Sequence, residues 1–135
     1  MKKSATGITG FDDMTAGGLP SGRTTLIEGG AGAGKTLFAL QTIAHGARQL
    51  EEPGIFVAFE ESPERITANV KDFGWELPGV VGDSLFFLDA RPDPDLIRTG
   101  DFDIAGMLAA LETQVEAMAP KRIVFDAIDN VLDLM

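Results

Sequence analysis

Cysteine and tyrosine are absent from the 135 residues, and there is one histidine and one tryptophan. Without thiols the chain can form no disulfide, no thiol nucleophile and no cysteine-bound zinc. The single histidine, His45, has no Ser–Asp partnership or second ligand nearby, so it reads as a partly exposed helix residue. No apolar run approaches the ~18 residues of a membrane-spanning helix, and no membrane association is expected. Lys2 and Lys3 open the chain as a signal peptide would, but Ser4 to Gly10 is no apolar core, so no export signal is read and a cytoplasmic location is expected. Positive charge is scarce: 11 Lys and Arg stand against 21 Asp and Glu, a net charge of −10. That balance repels polyphosphate backbones. The nine Phe are not interleaved with Lys or Arg as a single-strand platform requires, so they are expected to fill a core. Nucleic acid is not an expected partner.

Glycine, by contrast, is plentiful, and its most telling cluster is Gly29-Gly30-Ala31-Gly32-Ala33-Gly34-Lys35-Thr36. This octapeptide fits G-x-x-x-x-G-K-[ST] at every fixed position. It follows a β-branched run at Thr24, Thr25, Leu26 and Ile27 and opens a segment with helical spacing, the strand–loop–helix context of a phosphate loop. Glycines let successive N–H groups point inward at phosphate oxygens, and the following helix adds its positive end. Lys35 then reaches the β- and γ-phosphates, and the Thr36 hydroxyl can ligate Mg²⁺. ATP and magnesium are the expected ligands.

The length suits about one domain, 1–135. The first 23 residues carry turn chemistry at Thr6-Gly7, Thr9-Gly10, Gly17-Gly18-Leu19-Pro20 and Ser21-Gly22. A strand is predicted at about Thr24 to Glu28. A helix follows to about Leu50, with Leu37, Leu40, Ala44 and Ala47 on its apolar face. Ile55 to Phe59 is an unbroken apolar run typical of a buried parallel strand. Ser62-Pro63 starts a helix as N-cap and first residue, with Ile66, Val70 and Phe73 on one face and Gly74 at its end. Ser84 to Leu88 reads as a third strand, Arg91 to Asp95 as a proline-stiffened loop. Ile104, Met107, Leu108, Leu111, Val115 and Met118 mark a long amphipathic helix that Pro120 ends, and Arg122 to Asp126 is a fourth strand. Alternating strands and helices predict an α/β fold, a mostly parallel sheet flanked by helices.

Arg122 to Asp126 delivers a carboxylate at the C-terminal end of an apolar strand, where open α/β sheets gather their ligands. Asp126 can face the phosphate loop there and hold Mg²⁺ through a water, a role weighed above that of a strand-end cap. Asp129 is a weaker candidate. Glu60 and Glu61 occupy the same end of another buried strand. A carboxylate beside the phosphates can orient the attacking water and accept its proton, with Glu60 the leading candidate; the alternative is a solvated turn. Glu28 adds like charge beside the loop unless strand alternation turns it away.

These residues together bring a family into view. Gly10-Phe11-Asp12-Asp13, Gly17-Gly18-Leu19-Pro20-Ser21-Gly22-Arg23, Gly34-Lys35-Thr36-Leu37-Phe38, Phe59-Glu60-Glu61-Ser62-Pro63, Phe73-Gly74-Trp75, Leu88 to Pro94 and Gly100-Asp101-Phe102-Asp103 resemble the KaiC branch of RecA-like P-loop ATPases. The resemblance covers nearly the whole chain and is to the first of that family's two repeats. It implies a RecA-like NTPase fold and a hexamer of the intact protein with ATP between subunits. Paired glutamates at the catalytic water match Glu60 and Glu61, and Lys35, Thr36 and Asp126 match the nucleotide and Mg²⁺ positions. It also implies clock or signalling partners and, for the intact two-repeat protein, serine/threonine autokinase activity whose phosphoacceptor residues lie in the second repeat. In such sheets a further strand separates the Asp-bearing strand from the phosphate-loop strand, so the chain is expected to be the N-terminal portion of one domain, incomplete at its C-terminus. Two other readings are a DNA-dependent recombinase or helicase of the wider RecA group and a non-catalytic nucleotide-binding module.

Overall fold

The computed structural model describes residues 2–30, 32–75, 77–82, 84–91 and 104–128. Ala31, Asp129 and the predicted loop from Pro92 onward lie outside them. In chain order the elements are β1 (Lys3–Ser4), α1 (Phe11–Met14), β2 (Leu19–Pro20), α2 (Lys35–Gln49), β3 (Gly54–Ala58), α3 (Pro63–Asn69), β4 (Leu85–Asp89), α4 (Ile104–Met118) and β5 (Arg122–Asp126).

An apolar strand with no polar alternation must be covered on both faces. Accordingly every residue of β3 is buried, and β3 lies at the centre of a three-stranded sheet of order β4-β3-β5. Both pairings are parallel and in one register: Gly54 stands opposite Leu85 and Arg122, and Ala58 opposite Asp89 and Asp126. The sequence therefore delivers three strand ends to one edge of the sheet, Asp89 and Asp126 flanking the exit of β3 toward Glu60 and Glu61.

Alternation along β3 divides the core in two. Phe56 and Ala58 join Leu40, Ile43, Ala44 and Ala47 of α2 and Ile66 of α3 on one face. Ile55 and Val57 join Leu111 of α4 on the other, with Met107, Val115 and Met118 packed around them. Each fully buried aliphatic side chain of this kind contributes about 1.5–3 kcal/mol. β5 follows the same alternation: Arg122, Val124 and Asp126 share the α2 side, and Ile123 and Phe125 the α4 side. Ser62 caps α3 as expected, its Oγ accepting from the Arg65 N–H at 3.2 Å, with Pro63 next.

Several expectations are corrected. Thr24 to Glu28 forms no strand; these residues are exposed, Leu26 at 69%. A strand needs a neighbour, and none of β3, β4 or β5 pairs with these residues. Glu28 is thus simply exposed. The turn-rich start is more ordered than expected: it holds α1 and a short antiparallel β1–β2 pair. Leu37, Phe73 and Leu108 are 40%, 50% and 51% exposed, not core. Phe73 instead meets Trp75 edge-on. Of the phenylalanines, Phe56 and Phe59 are buried, whereas Phe125, like Phe73, is about half exposed.

Candidate nucleotide site

Lys35 and Thr36 are the first two residues of α2, both half-buried. The chain reaches them through Gly32 and Gly34, whose φ angles of 79° and 89° lie in the left-handed region that side chains disfavour. A turn closes with the Ala33 N–H donating to the Gly30 carbonyl at 3.1 Å, and Phe38 N–H donates to the Gly34 carbonyl at 2.9 Å as the helix begins. Gly29, Gly30, Gly32, Ala33 and Gly34 are exposed, and the Lys35 side chain lies over Gly29. The loop is an open surface. Two cavities of about 200 and 220 Å³ lie elsewhere, both bordered by Gly7 and His45.

Asp126 ends β5 on the α2 side, and its Oδ2 accepts a 2.8 Å hydrogen bond from Thr36 Oγ1. Its backbone carbonyl accepts from the Phe59 N–H at 2.7 Å, which ties the exit of β3 to the same corner. A hydroxyl and a carboxylate side by side are hard oxygen donors of the kind Mg²⁺ takes, so this pair fits the ion. Glu60 is exposed and Glu61 half-buried in the bend after β3, and neither makes a hydrogen bond or ion pair among the described residues. The fold thus brings Thr36 and Asp126 into contact and sets the glutamates at the same sheet edge, without a bond between the two groups.

The sequence reading missed three polar features. Asp89 is chelated by Arg91, whose Nε and Nη2 donate at 2.9 and 2.8 Å, and these bonds hold the carboxyl below its ordinary range. Asp12 is fastened into the N-terminal turn: Oδ1 accepts from Thr6 Oγ1 at 2.7 Å and Thr6 N–H at 3.0 Å, Oδ2 from Gly7 N–H at 2.9 Å. Burial pushes the Asp12 carboxyl up, but those bonds, with His45 nearby, bring it below its ordinary value. His45 is half-buried and packs directly on Gly7, where a β-carbon would overlap the ring.

The third is Arg122. Its guanidinium is buried, and Nη1 donates to the carbonyls of Ala5 at 2.6 Å and Thr42 at 2.8 Å, Nη2 to Glu52 Oε1 at 3.1 Å. A glycine inside a helix costs about 1 kcal/mol relative to alanine and asks for a packing reason. Gly46 was the available signal: a β-carbon there would stand 2.7 Å from Arg122 Nε.

A parallel sheet between helices, a glycine loop opening α2 and a strand-borne aspartate bonded to the loop's threonine define the RecA-like P-loop class. A family model described as "ATPase: KaiC" matches residues 4–135. The chain is 47% identical over 133 residues to the circadian clock oscillator protein KaiC of Prochlorococcus marinus, covering 97% of this chain and 27% of that protein. Against the proteins of the same name from Thermosynechococcus vestitus and Synechococcus elongatus it is 45% and 41% identical, covering 97% and 96% of this chain and 26% and 25% of theirs. It belongs to the KaiC family. The chain spans about a quarter of the length of these curated relatives.

Proposed function

We propose that this chain binds Mg·ATP at Gly29–Thr36 and contributes the catalytic corner of a KaiC-type ATPase. The supporting observation is the 2.8 Å contact between Thr36 Oγ1 and Asp126 Oδ2, which joins two nucleotide signatures separated by 90 positions. Backbone N–H groups of the loop and the Lys35 ammonium bind and orient the phosphates. Thr36 and Asp126 hold magnesium, which when bound neutralises charge on the phosphate oxygens. Glu60, with Glu61 beside it, orients water and accepts its proton as the water oxygen bonds to the γ-phosphorus and the bond from that phosphorus to the β,γ-bridging oxygen breaks, releasing ADP.

The 1–135 segment is, on this reading, the N-terminal portion of one ATPase domain of a protein that forms hexamers. Clock or signalling proteins are its partners, and serine/threonine autokinase activity belongs to the intact protein rather than to this segment. Net acidity disfavours a nucleic-acid partner. No helix among the described residues is long and apolar enough to cross a membrane. The test is calorimetric titration of Mg·ATP into the intact protein and its Lys35→Ala and Asp126→Asn variants. Unchanged affinity in both would overturn the reading.

A further inference from the structure

Arg122 and Asp126 stand at opposite ends of β5 and point to the same side, toward α2. Asp126 meets the first turn of α2 at Thr36, and Arg122 meets its middle at the Thr42 carbonyl. The two contacts are about 13 Å apart along the strand and about 9 Å apart along the helix. Two separated points fix both the slide and the tilt of a helix on a strand, where one point fixes neither. β5 pairs with β3 on one side only among the described residues, so the sheet itself holds its position less firmly than that of a central strand.

The Arg122 contact is built for rigidity. Its planar fork spans three further segments at once: the N-terminal residues through Ala5, α2 through Thr42, and the approach to β3 through Glu52. Gly46, one helical turn beyond Thr42, leaves the space that the guanidinium fills: a β-carbon there would stand 2.7 Å from Nε and 3.0 Å from Cζ. Nε has no acceptor.

We propose that Arg122 is a positioning residue for the nucleotide site, setting α2 on β5 so that Thr36 and Asp126 meet in the geometry magnesium requires. This rests on the magnesium role of that pair. Outer contacts that orient metal ligands typically matter by 10–100-fold in metal affinity. Gly46→Ala tests the idea with every charge retained: the added methyl cannot coexist with Nε at its present place and must displace the fork, while helix propensity improves. Arg122→Lys removes the fork but keeps the charge.

The experiment uses the intact protein carrying this sequence, with thermal unfolding recorded for each variant. ATP binding is measured by calorimetry in EDTA and then across a magnesium titration at fixed ATP. Both variants are expected to need about tenfold or more magnesium for half-maximal tightening of ATP binding, with affinity in EDTA kept within about twofold. Asp126→Asn serves as reference and should shift the magnesium dependence at least as far. If Asp126→Asn shifts it and neither Gly46→Ala nor Arg122→Lys does, the positioning role is wrong. Equal losses with and without magnesium, or failure of both variants to fold, assign Arg122 to the core alone and also overturn it. If Asp126→Asn changes nothing, the metal role of that pair falls first and the inference with it.

Discussion

Thr36 Oγ1 donates a 2.8 Å hydrogen bond to Asp126 Oδ2 across 90 positions of sequence. The contact follows from two local rules. Gly34 in the left-handed region starts α2 with Thr36 in its first turn, and the alternation of β5 puts Asp126 on the side that α2 covers. Nothing else among the described residues joins the phosphate loop to the sheet by a side-chain hydrogen bond.

Lys35 is the cation proposed for the phosphates. It makes no hydrogen bond or ion pair among the described residues, so its ammonium is available to phosphate. Lys35→Ala in the intact protein should weaken Mg·ATP binding by an order of magnitude or more, the equivalent of roughly 1.5–3 kcal/mol for hydrogen bonds to a charged group. Calorimetry with equal affinity in the two proteins would remove Lys35 from the site.

Substitution of the glutamates is the means to separate binding from chemistry. Glu60→Gln should keep ATP binding while turnover falls by roughly two orders of magnitude or more, because an amide cannot take a proton from water. Glu61→Gln should lose less. Phosphate release under single-turnover conditions distinguishes the roles: an inactive Glu61→Gln beside an active Glu60→Gln reverses them, and two active variants reduce the pair to a solvated turn.

Most of the sheet was legible because its signals are local. The apolar run of β3, the Ser62-Pro63 cap and the helical spacing of α2 and α4 each lie within a few residues of the element they specify. What escaped depends on partners distant in sequence. Thr24 to Glu28 has strand composition but no neighbour among the described residues, and composition cannot report that. Leu108 and Leu37 obey helical period yet sit where no layer of the described residues covers them. In the sequence Arg122 is only the first residue of the fourth strand, and its contacts appear only when Ala5, Thr42, Gly46 and Glu52 converge on it. Glu60 and Glu61 follow β3 to the expected sheet edge.

Acid should loosen the N-terminal turn. The Asp12 carboxyl is held below its ordinary value near 3.8 by the Thr6 and Gly7 bonds, which outweigh the opposing effect of burial. A carboxylate depressed in the folded state contributes stability that is fully present above its unfolded value and is lost as pH falls through its folded value. Asp12→Asn, which cannot accept all three bonds with one carbonyl oxygen, should lower stability at neutral pH by on the order of 1 kcal/mol. The difference from the parent protein should narrow as pH drops below about 3.8. Urea unfolding at neutral pH and near pH 3 measures both, and a difference that widens in acid contradicts the assignment.

The outer side of β5 governs how the 135-residue polypeptide behaves on its own. β5 has no pairing partner there among the described residues. Ile123 and Phe125, on the α4 side, are 41% and 45% exposed, since α4 packs chiefly over β3 and β4, and Phe59 stacks on only one face of the Phe125 ring. An unpaired, apolar strand edge is a template for a second chain, opposed here mainly by the net charge of −10. We therefore expect the isolated polypeptide to be marginally stable and to self-associate irregularly, more so at high salt, without closing into a hexamer. Steady ATP turnover should be slight, because the phosphate loop is an open surface on which little but Lys35 opposes developing charge. Ile123→Lys, a charge on the exposed strand, should move association to on the order of tenfold higher concentration, about 1.4 kcal/mol. Sedimentation velocity over a concentration series, paired with a phosphate-release assay, measures these outcomes. A monodisperse hexamer with brisk turnover, or an Ile123→Lys variant that associates as readily as its parent, would show that the β5 edge is not what limits this chain.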